Sequence, residues 1–178
     1  AKVSGFPEWF SEVEMVNPFI PEDPFSIRWH QVTGLNLTMI HQRSILTDDM
    51  GTGKSIISQA WTLFQVGIGN KVVCLMPPVL LGQYRDSLIS TFKGIEDKFS
   101  IKIYRGTKKQ RQKMLHDWVG DARPDIVLMT YAIFAKEGCL FDDYTALMAV
   151  EAQLANPNTA SNQALTYFMG NEGQTNCV

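Results

Sequence analysis

The sequence has few of the residues that build zinc sites and no segment long enough to span a membrane. Its three cysteines form no CxxC pair and its three histidines form no HExxH pattern, which are common zinc-binding spacings. The longest apolar stretch, residues 72–81, contains two prolines and falls well short of the ~20 residues that cross a bilayer. No basic segment followed by an apolar one opens the sequence, so we expect an intracellular protein, in the cytoplasm or nucleus, or in the host cell if viral.

The sequence also lacks a strong excess of charge of either sign. Its formal net charge is −2, so the whole protein is not expected to coat nucleic acid unaided. Residues 102–113 are an exception, with six basic residues and no acid. Such a segment fits a surface that contacts phosphates, but runs of this kind are more often a solvated helix face. With 178 residues, 45% of them hydrophobic, the chain is long enough to bury the core of one domain.

Residues 1–26 differ from the rest of the chain. They hold four of the eight prolines among aromatic and acidic residues, which favours an extended arm packed on the domain. From residue 27 onward, short continuous apolar runs, typical of strands buried on both faces, alternate with helical segments. The predicted strands are 44–46, 72–76, 126–129 and 146–150, and the predicted helices are 27–40 (with Ser26 as N-cap), 55–66, 78–92 and 107–118. This alternation predicts an α/β domain with a mostly parallel central sheet, in which we expect the tryptophans to pack in the core.

One short segment carries the chemistry. Residues 47–55 read Thr-Asp-Asp-Met-Gly-Thr-Gly-Lys-Ser, directly after a predicted strand and before a predicted amphipathic helix. Glycines let successive backbone N–H groups face a phosphate, and the start of a helix adds positive potential. We expect Lys54 to neutralise the β- and γ-phosphates of ATP and the Ser55 hydroxyl to bind Mg²⁺. The segment therefore predicts a nucleotide-binding loop.

The loop and four further segments resemble one family. Residues 48–55 resemble the Asp-Glu-Met-Gly-x-Gly-Lys-Thr loop of Swi/Snf-like DNA translocases in helicase superfamily two. Segments at 27–31, 73–84, 124–131 and 149–158 resemble other elements of that family in the same order. The resemblance implies a three-layer RecA-like P-loop domain over residues 27–178, which would be the first, ATP-binding lobe of a two-lobed enzyme. It also implies duplex DNA and a second helicase lobe or a protein as partners. The slightly negative net charge predicts that DNA is bound weakly.

The resemblance assigns roles to individual residues. Gln31 would read the adenine edge, and Lys54 and Glu151 would be catalytic. The strand ends at Pro77 and Thr130 would contact DNA. The full set implied to bind the cofactor is Gln31, Asp49, Gly51, Thr52, Gly53, Lys54 and Ser55. Further DNA-contact candidates, from the basic segment, are Lys108, Lys109 and Arg111.

The sequence departs from the family where the metal should be bound. Val150 stands at the position of the Mg²⁺-binding aspartate, and a shift of register that puts Glu151 there puts Ala152 at the catalytic glutamate. Either way the site is one carboxylate short, and the nearby Asp142 and Asp143 precede the strand and should lie at its far end. Two functions therefore stay open: an ATP-binding lobe of a helicase or translocase, with little hydrolysis alone, or a pseudo-ATPase module that grips DNA or a partner protein.

Overall fold

A computed structural model of the protein describes residues 27–41, 44, 46 and 51–150. The predicted arm at 1–26, Asp49 and Glu151 lie outside these residues. The helices are α1 (Trp29–Ile40), α2 (Lys54–Gly67), α3 (Leu80–Thr91), α4 (Ile95–Lys98), α5 (Lys108–Asp117) and α6 (Tyr131–Glu137). The strands are β1 (Val72–Leu75), β2 (Ile101–Ile103), β3 (Ile126–Met129) and β4 (Ala146–Ala149), and short 3₁₀ turns cover Gly120–Ala122 and Gly138–Phe141.

The strands form one sheet in the order β2-β3-β1-β4. Every pairing is parallel, with Val73 of β1 opposite Val127 of β3 and Leu147 of β4. The two central strands, β1 and β3, are buried along their whole length, as their continuous apolar runs predict. The predicted α/β class with a mostly parallel sheet is confirmed. The edge strand β2 was not predicted, since its three residues include the exposed Lys102.

The described residues divide into two compact units. The sheet unit comprises 70–85 and 99–150, and the loop unit comprises the described part of 27–69 together with 86–98. In the sheet unit, side chains from one face of β1 and β3 form a core with four aromatic rings: Tyr104, Phe134, Phe141 and Tyr144. Met114, Leu115 and Trp118, from α5 and the residue after it, pack against this core. Since Phe134 lies in α6, both helices cover this face of the sheet.

In the loop unit, α1 packs against α2. The buried stripe of α2 includes Ile57, Ala60 and Leu63. Gly34 lies at the contact between the two helices, where a Cβ would come within 3.2 Å of the Ile57 side chain. This close approach brings the start of α1 next to the residues that precede α2.

Three expectations for this region are wrong. Helix α1 begins at Trp29 with Arg28 rather than Ser26 as its N-cap, because the Arg28 N–H is bonded by the Gln31 side chain. Ser44 and Leu46, the described residues of the predicted strand 44–46, are not in a strand. Trp29 is 77% exposed rather than in the core, because two helix positions separate it from the buried Gln31 and turn it to the opposite face. No helix of the described residues is both long and apolar enough to cross a membrane.

Candidate nucleotide-binding site

The candidate site is the loop that ends where α2 begins. Gly51 and Gly53 both have φ of 84°, a left-handed conformation that glycine adopts without a steric cost. Gly53 is the N-cap of α2, and Lys54 and Ser55 are the first two residues of this 14-residue helix. The first N–H groups of a helix have no partner within it and attract anions. The described part of the predicted loop is thus a curled backbone at a helix start.

Two side chains of α1 hold this loop. The Gln31 Nε2 group donates to the Thr52 carbonyl at 3.1 Å, and the His30 Nε2 lies 3.2 Å from the same oxygen. Gln31 Oε1 accepts from the Arg28 N–H at 2.9 Å, and the residue is only 5% exposed. A Cβ at Gly53 would overlap Gln31 Nε2. Gln31 therefore ties α1 to the loop, and its predicted contact with adenine stays a prediction.

The carboxyl ends of three strands bring other predicted residues together in the sheet unit. The Met76 N–H donates to the Met129 carbonyl at 3.1 Å, and the Val150 N–H donates to the Leu75 carbonyl at 2.8 Å. Pro77, Thr130 and Val150 consequently follow neighbouring strands at one edge of the sheet. The Val150 carbonyl accepts from the Tyr131 hydroxyl at 2.6 Å.

Thr130, one of the DNA-contact candidates, is also the N-cap of α6. Its Oγ1 accepts from the Ile133 N–H at 3.3 Å. A threonine hydroxyl carries one hydrogen besides its acceptor lone pairs. Thr130 can therefore cap the helix and still donate to a phosphate oxygen.

The acidic residues before β4 lie at the amino ends of the strands, away from Pro77, Thr130 and Val150. Asp143 binds Arg123 at 2.5 and 2.7 Å and lies 3.8 Å from Lys71, the residue that precedes β1. This is the amino edge of the sheet, as the sequence predicts, so Asp143 and its neighbour Asp142 do not replace a carboxylate at Val150. Among the described residues, no three His, Cys, Asp or Glu side chains cluster to hold a metal.

The basic segment contains two kinds of side chain. Lys108 and Lys109 are exposed in the first turn of α5. Arg111, in contrast, binds both carboxylate oxygens of Glu137, at 2.5 and 3.0 Å. These hydrogen bonds lower the pKa of Glu137, which also accepts from the Tyr104 hydroxyl at 2.7 Å. Arg111 thus fastens α5 to α6, and this pairing does not support its predicted role in contacting DNA.

Sequence reasoning missed several of these contacts. Tyr104 and Arg111 lie 33 and 26 positions from Glu137, and His30 lies 22 positions from Thr52. No spacing in the sequence marks such pairs. The position of His30 directly before Gln31 is the one signal that the sequence offers.

Solved structures of helicases share this fold. The SWI2/SNF2 ATPase core of Sulfolobus solfataricus, solved in complex with dsDNA, matches with a TM-score of 0.60 and 21% identity, over 80% of this chain and 30% of its own. The UvsW helicase of bacteriophage T4 matches with a TM-score of 0.65 and 20% identity, over 90% of this chain and 53% of its own. A further T4 UvsW structure matches with a TM-score of 0.66 and 20% identity, over 92% of this chain and 31% of its own.

The chain spans about a third to a half of the length of these helicase structures. No protein-family model and no curated protein matches the sequence. At about 20% identity, the likeness concerns the fold alone. The chain has the α/β fold of a RecA-like helicase lobe.

Proposed function

We propose that the chain is the ATP-binding lobe of a Swi/Snf-like helicase or ATP-driven DNA translocase. The observation that carries this proposal is the loop at 51–55. Two glycines in the left-handed region curl the backbone directly before a 14-residue helix, and the Thr52 carbonyl is drawn towards α1. A curled backbone followed by a helix start is a phosphate-binding arrangement.

The residues of the loop fit a nucleoside triphosphate with Mg²⁺. Lys54, at the first position of α2, would pair with the β- and γ-phosphates. The hydroxyl of Ser55, an exposed residue, would be a ligand of the metal, with phosphate oxygens and water completing an octahedral shell. Bound Mg²⁺ neutralises charge on the phosphates. Val150 contributes no side-chain oxygen to such a site.

Duplex DNA is the proposed polymer substrate. One structural neighbour was solved with dsDNA. In this chain, Pro77 and Thr130 follow adjacent strands, and Lys108 and Lys109 are exposed cations. With a net charge of −2 and few such contacts, we expect binding to be weak and independent of base sequence. A second helicase lobe or another protein would be the partner.

A specific observation favours a second candidate, the pseudo-ATPase module. Val150 directly follows β4, where the family resemblance places the aspartate that holds Mg²⁺. Hydrolysis needs a metal that clamps the phosphates and a group that orients the attacking water. A lobe with valine there would still bind nucleotide and would grip DNA or a partner protein without turnover.

Calorimetric titration with MgATP tests the shared claim of both candidates. Lys54→Ala should weaken binding by about 2–3 kcal/mol, or about 30- to 150-fold, because it removes a charge-assisted contact with phosphate. Lys113→Ala removes an equal charge from the exposed surface of α5 and should leave the affinity unchanged. Equal affinities of the wild type and Lys54→Ala, or no binding by the wild type, would overturn the proposal.

A further inference from the structure

Two consecutive side chains of α1 converge on one backbone oxygen of the loop. The Nε2 atoms of His30 and Gln31 lie 3.2 and 3.1 Å from the Thr52 carbonyl oxygen. We propose that His30 is a positioning residue, which orients the phosphate-binding loop for its ligand. The proposal rests on the nucleotide site proposed above and adds a residue that the family resemblance does not assign.

The chemistry of the contact defines the state of the imidazole. A carbonyl oxygen can only accept, so His30 Nε2 must carry the hydrogen. A carbonyl oxygen has two lone pairs, and the two donors from α1 match that number. The Thr52 carbonyl is therefore held towards α1 from two directions.

The geometry of the peptide bond carries this effect to the ligand side of the loop. The described chain has no cis peptide, and in a planar trans peptide the C=O and the following N–H point in opposite directions. A Thr52 carbonyl held towards α1 thus directs the Gly53 N–H away from α1. This N–H lies at the last loop residue before the helix start, where successive amides would face a phosphate.

The contribution of His30 can be separated from that of Gln31. Gln31 is 5% exposed and also caps α1 through the Arg28 N–H, so its removal disturbs the helix itself. The His30 ring is only partly buried, and it meets the Trp29 ring edge-on with centroids 6.3 Å apart. A change at His30 therefore removes one donor from the loop with little loss of core packing.

The first test compares nucleotide affinities by calorimetry. His30→Phe keeps an aromatic ring and removes the donor, and it should weaken MgATP and MgGTP by the same factor, about three- to tenfold, as for the loss of one hydrogen bond. The factors should be equal because the Gly53 amide would face phosphates and not the base. His30→Gln, which restores an N–H donor, should recover most of the affinity. Thr33→Ala is the control, since its hydroxyl donates within α1, to the Trp29 carbonyl.

The second test is amide hydrogen exchange without ligand. If His30 positions the loop, His30→Phe should speed exchange in the peptide covering 51–55, while the thermal midpoint stays near that of the wild type. A lowered midpoint with unchanged nucleotide affinity would show a merely structural role and overturn the proposal, as would unchanged loop exchange. If the wild type binds no nucleotide, the proposed function fails, and the exchange result alone decides the role of His30.

Discussion

At the scale of single residues, the two loop glycines differ in what surrounds them. Both have φ of 84°, but a Cβ at Gly53 would overlap Gln31 Nε2, whereas a Cβ at Gly51 would meet none of the described residues within 4 Å. In each alanine variant, the left-handed backbone conformation should cost about 1–2 kcal/mol of free energy. Gly53→Ala should also displace Gln31 and so cost at least about tenfold more in ATP affinity than Gly51→Ala. Calorimetry on both variants measures this, and equal losses would contradict the close packing of Gln31 on the loop.

The Glu137 carboxylate should make the free energy of unfolding depend on pH. Hydrogen bonds from Arg111 lower its pKa in the folded protein below the ordinary value of 4.5, so the pairing stabilises the fold above that value and is lost as the pH falls through the lowered pKa. Glu137→Gln should cost about 2–3 kcal/mol at pH 7, and the difference from the wild type should shrink below about pH 4. Urea unfolding at several pH values measures this. A constant difference down to pH 2 would show that the charge is not involved.

Contiguous features were predictable at this scale and distant pairs were not. The loop residues stand side by side in the sequence, so their glycine, lysine and serine pattern identifies the loop directly. In the sequence, Arg111 cannot be distinguished from the exposed cations of the basic segment. Its partner Glu137 lies 26 positions away along the chain, and only the fold brings the two together. The exposure of Trp29 depends on the phase of α1, which a wrongly placed N-cap obscures.

At the scale of elements, burial decided what the sequence could predict. Strands β1 and β3 are continuous apolar runs because both of their faces are buried, and both were predicted to within a residue. The edge strand β2 and the four-residue helix α4 are too short to show a period. The predicted strand 44–46 rested on three apolar or small residues before the loop, and Ser44 and Leu46 are not in a strand.

The first turn of α5 is the surface for which we predict contacts with DNA phosphates. Lys108 and Lys109 are exposed there, while Arg111 is engaged by Glu137. Binding to duplex DNA should be weak, and Lys108→Ala with Lys109→Ala should reduce the slope of log K against log salt by about 2, since each phosphate contact contributes about 0.9. Lys136→Ala, an exposed cation of α6, is the control. An unchanged slope in the double variant, measured by fluorescence anisotropy, would remove α5 from the DNA surface.

At the scale of the whole molecule, the chain should hydrolyse ATP negligibly, with or without DNA. By the family resemblance, Val150 stands where an aspartate would hold Mg²⁺, and an arginine finger supplied by a second lobe would add about 10³–10⁵ in rate, as in related phosphoryl transfer. Val150→Asp should improve Mg²⁺-dependent ATP affinity while turnover stays low. A phosphate-release assay on both forms, each with and without an added second lobe, separates the effect of the residue at position 150 from that of the second lobe. Robust DNA-stimulated turnover by the unaltered chain would show that the metal site needs no carboxylate at position 150.

The central claim is that the loop at 51–55 binds the phosphates of ATP. A crystal structure with a non-hydrolysable ATP analogue and Mg²⁺ tests it most directly. The account predicts phosphate oxygens about 3 Å from the N–H groups of Gly53 and Lys54, with the Thr52 carbonyl still bonded to α1. An analogue bound elsewhere, or a loop that stays empty at saturating analogue, would contradict it.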